Sequence, residues 1–398
     1  MNRRNILNIK PKVLLSASLL TIGLTGSFMF HEKVSLPLVL FSFVLIVFIR
    51  KLKIYNEDIL MFFCFSLMLL FGLNGITISG LIYILAFGYA YFVYTKSAVI
   101  FSSKVDVYKV LLILTFLTNF FIFYEFTTKN FIPSLFIELP RPRVMEMDAL
   151  FLGVFQRARG FAEEPAHMGL FYEFVVPILF MKYRKEKPRI VFITFLITSF
   201  LAVFCIFSSF TIVMLGLYFL LFILFKTRLK LKIRILIVAI AAIIGIAFYH
   251  PEFFNYLDLA VDAISNKILM KGGASATDRS IRFNEGIQIV LKYPLGIGAM
   301  NMSKISPYPS SLNLYLDLLM FFGPFVLTSF LIYIGVIVYK AFKLDIWSLF
   351  ASTLIVLAHY FIIANFWYPY LWFLFGLIQY NYSALKSSKQ KIAELPYA

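Results

Sequence analysis

Residues 190–225 read IVFITFLITSFLAVFCIFSSFTIVMLGLYFLLFILF, thirty-six positions without a charged side chain. One helix of that length would measure about 54 Å at 1.5 Å per residue, whereas a bilayer's hydrocarbon core is about 30 Å thick. The run therefore predicts a hairpin of two membrane-crossing helices that turns near Ser208 and Ser209. The same composition extends in both directions. Of 398 residues, 61% are hydrophobic and 14% charged, with a mean hydropathy of +0.87. Soluble domains carry about 25% charged residues, so an ordinary soluble protein is excluded.

Further apolar runs lie at about 13–30, 34–49, 59–73, 76–94, 107–126, 164–181, 233–250, 312–339, 346–363 and 366–383, which with the hairpin make about twelve spans. The fold class expected is all-α, a polytopic transmembrane bundle forming a single membrane domain over 1–398. Basic residues precede the first run without a small-residue cleavage site, which reads as a retained first helix. Cys64 and Cys205 both sit in apolar runs, so neither a disulfide framework nor a zinc site is expected. The spacing of the runs shows no repeat of one half in the other, as an inverted-repeat transporter would have.

The charge balance is 37 Lys+Arg against 20 Asp+Glu, a net +17. In a membrane protein such an excess marks cytoplasmic loops rather than nucleic-acid binding. With both termini placed in the cytoplasm, 25 of the 37 cations fall inside and 12 outside. Two outside loops are long, at about 127–163 and 251–310, and long loops are where function concentrates. Only seven of the inside cations are Arg, whereas six of the outside ones are: Arg141, Arg143, Arg157, Arg159, Arg279 and Arg282. The positive-inside rule gives no reason for that bias. A guanidinium offers a planar fork of donors and keeps its charge, which suits a diphosphate. The same arginines can instead pair with nearby acids in a soluble cap.

Two segments carry the candidate chemistry. In Arg157-Ala-Arg159-Gly160-Phe161-Ala162-Glu163-Glu164-Pro165-Ala166-His167, the Pro and the acids before it suit the start of a helix. Functionally, Arg157 or Arg159 would hold phosphate while Glu163 or Glu164 orients an Arg or acts as general base on a hydroxyl. The second segment runs from Arg279 and Arg282 through an amphipathic stripe (Phe283, Ile287, Val290, Leu291), expected to lie along the membrane interface, to Pro294-Leu295-Gly296-Ile297-Gly298. The glycine pair lacks the strand and third glycine of a dinucleotide fingerprint, and reads first as a turn with positive φ. Glu173, Asp317 and His359 are ionisable groups inside apolar runs, functional candidates by default.

Together these segments resemble the O-antigen polymerase and ligase superfamily, the Wzy-type and WaaL-type integral membrane glycosyltransferases of the GT-C class. Arg157, Gly160, Glu164 and Pro165 match an Arg-x-x-Gly then Glu-Pro pattern. Arg279, followed fifteen residues later by Pro294, Leu295, Gly296 and Gly298, is similar to a second. The stretch from Asn313 to Asp317, before Phe322-Gly323, is similar to a third. The family's His before that Asn is Leu312 here, which favours a polymerase over a ligase.

The resemblance implies a bacterial cytoplasmic-membrane polymerase that joins undecaprenyl-diphosphate-linked oligosaccharide units of O-antigen, capsule or exopolysaccharide at the outer face. Arg279, Arg282, Arg157 and Arg159 would hold the diphosphate and Glu163, Glu164 or His167 would be the base. Arg141, Arg143, Asn313, Asp317, Gly296 and Gly298 would line the substrate. No metal or cofactor is expected. Partners implied are the lipid-linked oligosaccharide, membrane lipids, and a chain-length regulator and a flippase. The alternatives are an O-antigen ligase and a lipid-linked oligosaccharide transporter.

Overall fold

The computed structural model describes residues 11–24, 26–27, 29–31, 34–72, 77–140, 150–151, 155–184, 186, 188–228, 237, 274–344 and 346–393. The apolar run at 233–250, all but one residue of it, together with Arg141 and Arg143 lies outside these. The described helices are α1 (Pro11–Leu20), α2 (Leu36–Val47), α3 (Asn56–Gly72), α4 (Ile78–Lys104), α5 (Val107–Phe131), α6 (Pro165–Tyr183), α7 (Arg189–Ile206), α8 (Ser209–Lys226), α9 (Ala274–Lys292), α10 (Leu314–Lys343), α11 (Trp347–His359) and α12 (Pro369–Ala393). Two short antiparallel ribbons complete them, Met29–His31 with Val34–Ser35 and Leu150–Phe151 with Phe155–Gln156. Helices α4, α5, α7, α8 and α10 are long and apolar enough to cross a membrane. The chain has the architecture of a multi-pass helical membrane protein.

The α7–α8 hairpin turns where the sequence places it. Phe207 takes the left-handed conformation (φ 39°), its N–H returns to Val203 and Phe204 carbonyls, and α8 starts one residue after Ser208. Along α7, Ile190, Ile193, Ile197, Phe200, Leu201 and Phe204 form an exposed stripe at helical spacing. In water that apolar surface would be a liability, whereas against acyl chains it is the expected outer wall.

Several runs end differently from their sequence reading. Helix α1 stops at Leu20 and passes into a 3₁₀ turn at Thr21–Gly23. Helix α11 stops at His359, short of 363. Helix α4 continues ten residues beyond 94, so Lys96 is not a loop cation but a buried helical one, paired with Asp58 of α3. Asp58 also accepts from Tyr91 Oη (2.6 Å) and Gln379 Nε2 (3.2 Å), and beside it Glu57 pairs with Lys340. A buried ammonium survives because its charge and its protons are satisfied together. These residues tie α3, α4, α10 and α12 at one end of the bundle. Gly376 of α12 lets that helix lie on α4, since a Cβ there would come 2.2 Å from the Thr95 carbonyl.

Two prolines break helices, and neighbours repair both breaks. Pro177 leaves the Glu173 carbonyl without its usual N–H donor, and Ser352 Oγ of α11 donates to it (3.2 Å) and to the Phe174 carbonyl (3.0 Å). Pro324 does the same to the Met320 carbonyl, and Gly323 there is non-helical (φ 78°). The donors come from the segment after α9: Ile297 N–H reaches Met320 O (3.0 Å) and Gly298 N–H reaches Phe321 O (2.9 Å). Asn313 caps α10, its Oδ1 accepting from the Tyr315 and Leu316 N–H groups (3.0 Å each).

Candidate functional site

At the opposite end of the bundle the connections converge, and residues 157–164 are fixed there by main-chain bonds. Glu125, near the end of α5, accepts from Arg159 N–H (2.9 Å) and Gly160 N–H (2.7 Å) and pairs with Lys129 (3.0 Å). Ala158 N–H donates to Cys205 O (3.0 Å) and Arg157 Nη1 to Phe207 O (3.4 Å), anchoring the strip to the α7–α8 turn. Phe161 O accepts from Gly26 N–H and Ser27 Oγ. Gly160 has φ +58°, and a Cβ there would meet Ile122 and Met168 at 3.0 Å. Arg159 is buried and Arg157 half-buried.

The strip delivers Glu164 to the N-cap position of α6, with Pro165 in the first turn. Its side chain makes no capping bond, so the carboxylate faces its neighbours instead. One of them is Arg279 of α9. Burial pushes the Arg279 guanidinium below its ordinary value, and Glu164 first and Asp278 second hold it up. Arg279 also lies close enough to His167 for its charge to act on the ring, as do Glu164 and His359.

His167 lies in the first turn of α6 and is held on both sides. Asn365 Nδ2 stands 3.0 Å from its Nε2 and Tyr368 Oη 2.9 Å from its Nδ1. An amide nitrogen only donates, so Nε2 accepts, and the neutral ring carries its proton on Nδ1 toward Tyr368. Tyr368 in turn lies in the field of Glu163 and Glu164. Behind this group, Glu173 and His359 face each other fully buried, with His359 Nδ1 2.8 Å from Glu173 Oε2. Thr211 donates to Glu173 Oε1 (2.8 Å), and the Phe210 ring packs edge-on against the imidazole.

The structure thus brings Glu164, His167 and Arg279 together, with Glu163 beside them across Tyr368. Arg282 points elsewhere: it pairs with Asp278 (2.9 Å) one helical turn away and stacks on Tyr308 (4.5 Å). Gly296 and Gly298 have positive φ (92° and 81°) and dock on the broken part of α10, a role in the fold. Asn313 is committed to its cap. Asp317 accepts from Ser310 Oγ (2.7 Å), Ser311 Oγ (2.6 Å) and Ser311 N–H (2.8 Å), ordering the turn ahead of α10. The α9 helix starts at Ala274, five residues before Arg279.

The sequence reading did not single out Glu125, Asn365 or Tyr368. Glu125 alone had a signal, an acid near the end of an apolar run. No protein-family model matches the chain, and no curated protein matches it. Chemically, the site combines a guanidinium in the field of Glu164, a carboxylate with no hydrogen bond or ion pair among the described residues, and a neutral imidazole. That set can bind an oxyanion and take a proton from a hydroxyl beside it.

Proposed function

We propose that the protein is a glycosyltransferase of the cytoplasmic membrane that polymerises polysaccharide repeat units carried on a lipid diphosphate. The observation that carries this reading is the meeting of Arg279 with Glu164 and His167, from segments more than a hundred residues apart in the chain. About twelve spans with both termini in the cytoplasm then put this site at the outer face and the Lys96–Asp58 end inside, as the basic loops require.

In this mechanism an acceptor sugar hydroxyl attacks the anomeric carbon of the donor glycan. The bond from that carbon to the diphosphate oxygen breaks, and undecaprenyl diphosphate leaves with the electron pair. Arg279 stabilises the charge that develops on the leaving group. Glu164 takes the proton of the acceptor hydroxyl, because both ring nitrogens of His167 are already engaged and its role is to hold Tyr368 and Asn365. Arg159 and Arg157 belong to the wall behind Glu164.

The test is surface polysaccharide chain length in a strain deleted for this gene and complemented with wild type or Arg279→Ala. Long chains with wild type, and single repeat units with the deletion and the variant, are expected. Long chains that stay on the lipid carrier identify a ligase, and units that stay on the cytoplasmic side identify a transporter. Either result overturns the polymerase reading.

A further inference from the structure

The bundle end opposite the candidate site holds a cavity of about 170 Å³. Lys51 and Lys53 reach it from the turn before α3, Lys104 from the last turn of α4, and Ser383 and Ser387 from α12. Tyr55 and Tyr380 stand beside the serines, and Val99 and Ile100 form an apolar wall. No acidic side chain lines it. Asp58 and Glu57, whose charges act on Tyr55, are already committed to Lys96 and Lys340. Among the described residues no carboxylate pairs with Lys51, Lys53 or Lys104, and the one contact of these ammoniums is Lys51 over the Phe48 ring.

Three like charges around one small cavity repel each other, and an anion between them removes that cost. The floor is rigid: Tyr55 lies under the buried Lys96 ammonium (4.9 Å to the ring), and its backbone N–H donates to Asp58 Oδ2 (2.6 Å). Ammoniums and hydroxyls together suit phosphate oxygens, and basic pockets between helices at the cytoplasmic surface hold lipid headgroups in this way. Lysine provides point charge rather than a bidentate fork, which fits a phosphate more than a specific carboxylate.

We propose that the cavity bounded by Lys51, Lys53, Lys104, Ser383 and Ser387 is a binding site for a phosphate group, either the headgroup of an anionic phospholipid in the adjacent leaflet or a soluble phosphate. The site is separate from the sugar-transfer reading and does not depend on it.

The test is thermal unfolding of the full-length protein purified in a neutral detergent, in buffer free of phosphate. Phosphatidylglycerol, phosphatidylcholine and inorganic phosphate are added separately. Phosphatidylglycerol is expected to raise Tm and phosphatidylcholine to leave it unchanged. The triple variant Lys51→Gln, Lys53→Gln, Lys104→Gln is expected to lose the rise. A control triple with the same charge change at exposed positions away from the cavity (Lys109→Gln, Lys182→Gln, Lys343→Gln) keeps it, and the Lys-to-Arg triple at the cavity keeps it too. A rise with inorganic phosphate that the cavity triple abolishes identifies the soluble source and sustains the site. The proposal is overturned if no phosphate compound raises Tm, if the cavity triple retains the rise, or if the control triple loses as much of it.

Discussion

His359 Nδ1 sits 2.8 Å from Glu173 Oε2 with both side chains fully buried, a bond that clamps α11 to α6 behind the Glu164–His167–Arg279 group. Thr211 of α8 holds the other carboxylate oxygen, so three helices meet at one acid. Removing one member of such a pair leaves the other buried and unsatisfied, at a cost of about 3–5 kcal/mol. His359→Leu and Glu173→Leu should each lower the unfolding free energy by that order, and Thr211→Val by about 1 kcal/mol, the worth of one hydrogen bond. The double variant His359→Leu with Glu173→Leu should cost less than the two singles added. Denaturant unfolding in detergent gives the double-mutant cycle, and strict additivity would show that the two residues do not act as a pair.

Glu164 provides the sharpest contrast within the proposed reaction. It sits at the N-cap of α6 without capping the helix, so Glu164→Gln removes no cap, and its stability cost is confined to the charge that offsets the buried Arg279. If it takes the acceptor proton, polymerisation should fall by about 10²-fold or more, the usual worth of a positioned base. Glu163→Gln should reduce activity less, since Glu164 is the carboxylate that acts on Arg279 and His167. Single-turnover assays with lipid-linked donor measure the two variants side by side, and equal losses would remove Glu164 from the base position.

Arg282→Ala separates position from composition. Arg279 and Arg282 both lie on α9, yet Arg282 is held by Asp278 and Tyr308 while Arg279 faces Glu164 and His167. Exposed i,i+4 pairs contribute about 0.3–0.5 kcal/mol, so Arg282→Ala should be mildly destabilising and retain most activity. Arg279→Lys should lose activity by about 10²-fold, because a point charge does not replace a fork aimed at a developing oxyanion. A variant pair with the opposite ranking would move the diphosphate to the Arg282 side of the helix.

Local breakers made much of the fold legible. The α7–α8 turn, the start of α6 at Pro165 and the Gly296 turn are each written in a few adjacent residues, and the chain folds there as those residues dictate. The burial of Lys96 is not legible in the sequence because its partner lies 38 positions away. A lysine reads as a loop until Asp58 is brought beside it. Asn365 and Tyr368 were invisible for the same reason, since their contacts to His167 span 198 and 201 positions. Of the arginines, composition indicated the segment but not the direction of each side chain, which α9's helical register decides.

The docking of Pro294–Gly298 on α10 makes the last prediction. Pro324 deprives the Met320 carbonyl of its donor, and the loop supplies Ile297 N–H and Gly298 N–H in its place. Gly296 makes this possible: its φ is +92°, and a Cβ would lie 2.7 Å from Phe321 O and 2.9 Å from Gly323 N. Gly296→Ala must therefore lift the loop from α10 and leave two carbonyls without donors inside the bundle, at about 1–3 kcal/mol each. Because the same segment anchors the end of α9, Arg279 should shift with it and activity should fall beyond what instability explains. Pro324→Ala should be milder, since it restores an N–H for Met320 O as it removes the need for Ile297. Protease cutting at 293–298 together with Tm reports both effects, and a Gly296→Ala protein as stable and as protease-resistant as wild type would show that the loop does not carry those bonds.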